Sequence, residues 1–208
     1  MSSSTMPSEA TSASSNAVAT AFAVGSVLAA LGSVGYISLN DDSPREAFSN
    51  PVSTAAGVAA TVGAVVLALA LARWRTTLPV WAQTSAAAGL VMVATNSWFS
   101  GTGIRAISDH TDDQLFERLI FEAPWIMVMS LPKMVLCLVA FIALAVAGWR
   151  KRSLPRSSSV LLVLAGVVSV WPPYPPGLLL ASAALFIASR SVARSLRHPA
   201  SQPGHSAP

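Results

Sequence analysis

Apolar residues fall in long runs separated by short polar connections. The runs cover about 17–39, 52–72, 80–99, 124–149, 157–171 and 177–192. The first four reach the roughly 20 residues that a helix rising 1.5 Å per residue needs to cross a bilayer core of about 30 Å. The last two are shorter, and 15 residues make only roughly 22 Å. Pro172, Pro173, Tyr174, Pro175 and Pro176 separate them. That run cannot be helical throughout, because proline lacks the amide donor and clashes with the preceding turn. The pattern predicts an all-α, polytopic helical membrane protein with about six transmembrane helices. Its last two helices either cross where the bilayer thins or form a re-entrant hairpin. The helical membrane domain is expected at 17–192, after a disordered tail at 1–16 and before a basic, then disordered, tail at 193–208.

Two runs carry rows of small side chains. Ala17, Ala21, Gly25, Ala29 and Ser33 recur every four residues in the first, and Ala56, Ala60, Ala64, Ala68 and Ala72 in the second. Such a row lies on one helix face, where a neighbouring backbone can come close. Helix–helix packing within the chain is the expected use.

Composition agrees with the pattern. The 208 residues are 53% hydrophobic and only 11% charged, against about 25% charged in a soluble domain. A net charge of +4 and a pI near 10.0 do not point to nucleic acid, because the basic residues gather at helix ends. With the N-terminus inside and six crossings, Arg73, Arg75, Arg150, Lys151, Arg152, Arg156, Arg190, Arg194 and Arg197 are internal, and only Arg45, Arg105 and Arg118 are external. This is the bias of the positive-inside rule, and it predicts both termini in the cytoplasm of a multi-pass cell-membrane protein, with a bacterial cytoplasmic membrane the expected setting. Asp41, Asp42, Glu46, Asp109, Asp112, Asp113, Glu117 and Glu122 then fall outside. All six tryptophans stand at span ends, as interfacial belts require. The first 16 residues carry no Lys or Arg, so the first run reads as an uncleaved helix rather than a secretory signal.

Between the third and fourth runs lies a polar, acidic stretch. Gly101 and Gly103 suggest a flexible loop. Thr111 is expected to cap a helix with Gln114 as its capping-box partner. Leu115, Phe116, Leu119 and Ile120 then share one face of an amphipathic segment at 111–122, expected to lie on the outer membrane surface and bend at Pro124 into the fourth span. Asp109, His110, Asp112 and Asp113 are of the right type for a divalent cation, but their spacing matches no metal motif and they read first as a solvated helix start.

Lys133 is the costliest residue in the chain, since lysine at mid-span costs about 2.5–3.5 kcal/mol on the insertion scale. Its stem can snorkel outward. Its expected partners are the Val128 carbonyl, which Pro132 frees from helical bonding, then Asn96, then Glu122 or an acid of the outer loops. Met127, Met129 and Met134 near the single cysteine, Cys137, read as core filler rather than a copper path. Arg190, Arg194 and Arg197 have helical spacing and are expected to meet anionic lipid headgroups.

No metalloprotease, nucleophile-elbow, phosphate-loop or Cys-x-x-Cys motif occurs, and no cofactor is implied. The expected role is therefore a non-enzymatic accessory or assembly subunit. Its expected contacts are the bilayer and a membrane-protein partner or second copy, with no nucleic acid. The alternatives are a small transporter or channel component using Lys133 and Asn96, and a membrane enzyme using the outer acidic segment.

Overall fold

A computed structural model describes residues 7–39, 43–74, 78–170 and 176–197, with the backbone alone for 7–15, 125–127, 129 and 191–197. Helix starts are written in proline and short polar side chains. The Ser43 hydroxyl accepts from the Glu46 amide and Pro44 opens α2 (Pro44–Ser49). Asn50 accepts from the Val52 amide and Pro51 opens α3 (Pro51–Arg73). Pro79 precedes α4 (Val80–Trp98), Pro124 opens α7 (Pro124–Arg150), Pro155 precedes α8 (Arg156–Val168), and Pro176 opens α9 (Pro176–Arg197). Proline suits these positions because the first helical amides have no intrahelical acceptor to lose. α1 spans Pro7–Ile37, so the tail expected at 1–16 is helical from Pro7. α9 likewise runs past the expected span end at 192 to Arg197.

The six long elements close into a ring. α1 packs on α3, α3 on α4, α4 on α7, α7 on α8, α8 on α9, and α9 returns to α1. Pairings run antiparallel: Gly25 and Gly32 of α1 meet Gly63 and Ala60 of α3 in reverse order. Thr61 of α3 donates to the Ala94 carbonyl of α4, while Gln83 near the start of α4 donates to the carbonyl of Trp74 just past the end of α3. One end of the ring thus gathers the basic helix ends, and the other gathers the acidic connections.

Side chains sort inside-out relative to a water-soluble bundle. Alanine, glycine and serine turn inward, with Ala29, Ala60, Ala64, Ala82, Ala86, Ala140, Ala165, Ala181 and Ala184 at 0% exposure. Valine and leucine turn outward along Val24, Val27, Leu31 and Val34 of α1, Val58, Val62, Val65 and Leu69 of α3, and Val135, Val139 and Val146 of α7. Water would expel so large an apolar surface; hydrocarbon accepts it. Three helical stretches, Asn16–Ile37, Pro51–Arg73 and Ser130–Arg150, are long and apolar enough to cross a membrane, and Arg156–Val168 and Pro176–Arg190 are shorter apolar helices. The chain is all-helical among the described residues, and its surface is that of a membrane protein.

The α1–α3 seam is the tightest in the ring. A Cβ on Gly32 would stand 2.6 Å from the Ala56 carbonyl oxygen, and one on Gly63 would stand 2.7 Å from the Ala29 Cα. Of the expected small-residue rows, Gly25, Ala29, Ser33, Ala56, Ala60, Ala64 and Ala68 are buried, whereas Ala17 and Ala72 at the ends are exposed. Gly32, Gly35 and Gly63 lie off those rows yet make the close approaches, because each helix presents two adjacent ridges to its partner. Trp74 corrects the interfacial reading: it is 5% exposed, with its ring edge-on to Phe22 at 5.2 Å. Trp81, Trp98 and Trp149 are exposed, while Trp171 and the Trp125 side chain lie outside the described residues.

Gly63→Ala is expected to part α1 from α3, because its methyl group meets backbone that cannot rotate away, at a cost of about 2 kcal/mol or more. Gly89→Ala is the control, since its Cβ would find the Cys137 Cα at an ordinary 3.7 Å. Thermal unfolding in detergent should show a lowered midpoint for the first variant and little change for the second.

Candidate functional site

The acidic end of the ring is covered by a cap built from the α1–α3 and α4–α7 connections. α4 does not end in a flexible loop. It passes through a π-helical turn, Phe99–Gly103, into α5 (Ile104–Ser108). The added residue of a π-turn rotates the helix beyond it, and here Ser100 and Gly101 are buried. Gly101 rests on Gly57 of α3. A Cβ on Gly57 would lie 2.7 Å from the Gly101 Cα, 2.8 Å from the Tyr36 Oη and 2.9 Å from the Ser97 carbonyl oxygen. Three elements converge there because glycine leaves room. Thr54 donates to the Gly101 carbonyl at 2.9 Å and accepts from Arg105 Nη1 at 2.9 Å, which fixes the turn on α3.

The acidic segment completes the cap. Asp112, rather than Thr111, caps α6 (Asp113–Glu117), accepting from the Leu115 amide at 2.8 Å. Thr111 instead donates to the Ile107 carbonyl at the end of α5, which also accepts from the His110 amide, so no Thr111–Gln114 box forms. A second π-helical turn, Arg118–Glu122, leads to α7. Segment 111–122 is therefore not one amphipathic helix with the expected face. Phe116 and Ile120 are buried with Phe48, Tyr36 and Ile104, whereas Leu115 is 46% exposed. The π-turn breaks the 3.6-residue register on which that face depended.

The polar candidates of this segment serve the cap. Asp113 Oδ1 receives Arg45 Nε at 2.6 Å, and Arg45 Nη1 donates to the Ser108 carbonyl at 3.2 Å. That pairing raises the Arg45 pKa, its hydrogen bond to the Asp113 carboxylate being the largest cause. Asp109 faces Arg105 one turn away at 3.7 Å. His110 Nδ1 lies 2.8 Å from the Ala106 carbonyl. No group of three or more His, Cys, Asp or Glu stands close enough to hold a metal ion among the described residues.

Beneath the cap lies a cavity of about 30 Å³, lined by Tyr36, Phe48, Val93, Asn96, Ser97, Ser100, Lys133, Ser169, Gly177 and Leu178. Every long helix except α3 contributes to its wall, α8 through the Ser169 that ends it. Lys133, nine residues into α7, is only 7% exposed. The structure brings Lys133 and Asn96 to one cavity, as the sequence reading paired them, but no hydrogen bond joins them, and the Val128 carbonyl does not bond Lys133 either. Among the described residues Lys133 makes no hydrogen bond or ion pair. It is not snorkelling to an exposed edge. Tyr36 donates to the Ser97 carbonyl at 3.4 Å and Ser169 to the Ala165 carbonyl at 2.6 Å, so both hydroxyls are directed into the wall. One turn below, Cys137 donates to the Gly89 carbonyl at 3.5 Å and is buried, as a packing thiol is.

Tyr36, Ser97, Ser100 and Ser169 are wall residues that sequence reasoning missed. The one available signal was the Ser-Gly-Thr-Gly run after Phe99, read as a loop. At the opposite, basic end, a recess of about 790 Å³ between α1, α3 and α4 is mostly apolar, with Arg73, Gln83 and Thr84 in its lining. Arg190 at that end lies over the Phe186 ring, 4.6 Å from its centroid. The Arg194 and Arg197 side chains lie outside the described residues.

Fold and site together define a ring of apolar helices with a capped acidic end and a buried cationic cavity. No protein-family model, curated protein or solved structure matches the chain.

Arg45→Gln is expected to loosen the cap without unfolding the ring. Both partners are partly exposed, so the effect should fade with added salt. Hydrogen exchange should rise at Ser108–Asp113 while amides of α3 and α7 keep their protection.

Proposed function

We propose that this chain is a non-enzymatic, multi-pass membrane protein acting as an accessory or assembly subunit, with six crossing helices and both termini cytoplasmic. The observation that carries the reading is the use of the acidic segment. Asp109, His110, Asp112 and Asp113 each support local structure, through an ion pair, a backbone contact, a helix cap and an ion pair respectively. A membrane enzyme built on that segment would need some of these groups free to meet substrate. The outward valine and leucine faces supply the surface through which such a subunit meets lipid or another membrane helix. A bacterial cytoplasmic membrane is the proposed location, in line with the basic bias of the internal loops. Nucleic acid is not among the proposed partners.

Full crossing by α8 and α9 is part of this proposal. It is supported by their place in the ring, where Ser169 near the end of α8 and Leu178 near the start of α9 line the same cavity as Tyr36 at the end of α1. Reporter fusions after Arg75, Arg152 and the C-terminus should report the cytoplasm, and one at Asp109 the outside. A C-terminal reporter outside would leave one short helix uncrossed.

A second reading, a small transporter or channel component, is favoured by one observation: Lys133 and Asn96 share a cavity under the cap. Native mass spectrometry from mild detergent separates the readings. A subunit should emerge with a membrane partner or second copy in fixed ratio, retained when His110→Gln and Asp112→Asn are introduced. A lone chain whose solute flux in liposomes is lost in Lys133→Met would assign it to the second reading. The same spectra test lipid contact by Arg190, Arg194 and Arg197, each contributing on the order of 1 kcal/mol. Retained anionic lipid should fall when all three become Gln, and unchanged retention would refute that contact.

A further inference from the structure

A lysine 7% exposed has left almost all of its hydration behind, and a buried charge persists only where something compensates it. Among the described residues the cavity wall offers no compensation: its lining holds one cation and no carboxylate. In the cap, the carboxylates of Asp109 and Asp113 are paired with Arg105 and Arg45. What the wall does offer is neutral polar groups that can donate as well as accept. The Asn96 amide and the Ser97 and Ser100 hydroxyls make no side-chain hydrogen bond to another described residue, and all line the space that Lys133 lines. A cation that shares its cavity with groups free to donate, and with no carboxylate in the described lining, is complementary to an anion.

We propose that this cavity binds a small inorganic monovalent anion of the halide class. The Lys133 ammonium supplies the counter-charge, and Asn96, Ser97 and Ser100 supply neutral donors. Size sets the class. A cavity of about 30 Å³ holds one or two occupants the size of water, so amino acids, phosphate esters and organic acids are too large. The bound ion neutralises the lysine inside the bundle, between Phe48 and Ser100 of the π-helical turn. The inference rests on the shared Lys133–Asn96 cavity of the second reading, but requires no transport.

The test is thermal unfolding of the full chain in detergent, with sodium chloride or bromide replacing sodium gluconate at constant ionic strength. The midpoint should rise saturably with halide and stay flat in gluconate, which is too large to enter. Lys133→Met should weaken the halide response by roughly a hundredfold. Asn96→Asp, which sets a carboxylate on the cavity wall facing the ammonium, should abolish the response in a protein that still folds. Equal midpoints for the native chain in halide and gluconate would overturn the proposal, as would an undiminished response in both variants. Asp41 and Asp42 lie outside the described residues, and their conversion to Asn together should leave the halide response unchanged. A halide response that appears only in that double variant would overturn the proposal, because a carboxylate of this chain would then be the native counter-charge. Halide binding without halide flux in liposomes would keep this inference and remove the conduction reading, whereas absence of a membrane partner would remove only the accessory role.

Discussion

Close backbone approach between α1 and α3 is the constraint on which the rest of the ring depends. Hydrocarbon rewards no apolar side chain for leaving it, so helices in a membrane associate through dispersion contacts and polar groups instead. Dispersion falls steeply with separation, and only glycine and alanine bring two helices close enough to gain from it. Gly32 against Ala56 and Ala60, and Gly63 against Ala29, provide that approach. α3 is thereby held where α4 can dock, and α1 presents its other side to α9. Between these close approaches Phe22, Leu67, Leu71, Leu90, Phe141 and Leu144 fill the interior, while valines such as Val24, Val62 and Val139 project outward.

The same economy of small residues builds the acidic end. Gly57 and Gly101 touch backbone to backbone, and that contact lets the π-helical turn fold over the ring instead of splaying into solvent. Two arginines then tie the cap down from different sides, Arg45 to Asp113 and Arg105 to Thr54. The Arg45–Asp113 and Arg105–Asp109 ion pairs are partly exposed, and such pairs contribute little individually. The apolar cluster of Tyr36, Phe48, Ile104, Phe116 and Ile120 beneath them supplies the continuous contact, while the charges set its register.

Lys133 gains its meaning from this cap. A lysine at the same depth in an uncapped helix would extend its stem to the interface and remain hydrated. Under Phe48 and the π-turn it has no such route, and the cavity around it becomes a place where an external charge has a use. Its neighbours establish the polarity of the space: the described wall around it is hydroxyl, amide and apolar.

Much of this was legible along the chain. The apolar runs, the prolines that open helices and the fourfold spacing of alanines are local properties, and local physics decides them: the length needed to cross hydrocarbon, the missing amide of proline, the 3.6-residue turn. Lys133 and Asn96 were singled out because a polar group in an apolar run is costly wherever it points. Register and depth were not conveyed by chain order. Trp74 reads as an interfacial ring, yet it is buried on Phe22, because burial depends on which helix stands opposite. The stretch from Phe99 to Glu122 reads as a loop and one amphipathic helix, yet two π-helical turns shift its faces, and the tertiary contact at Gly57 is what makes the first of those turns worth its poorer hydrogen bonding. Asp112 displaced Thr111 as a cap because the end of α5 offered Thr111 the Ile107 carbonyl. The cavity itself is the clearest case. Its wall comes from α1, α2, α4 with its π-turn, α7, the residue after α8, and α9, and no spacing rule links Tyr36 to Ser169 until the ring closes and brings their helix ends to one level.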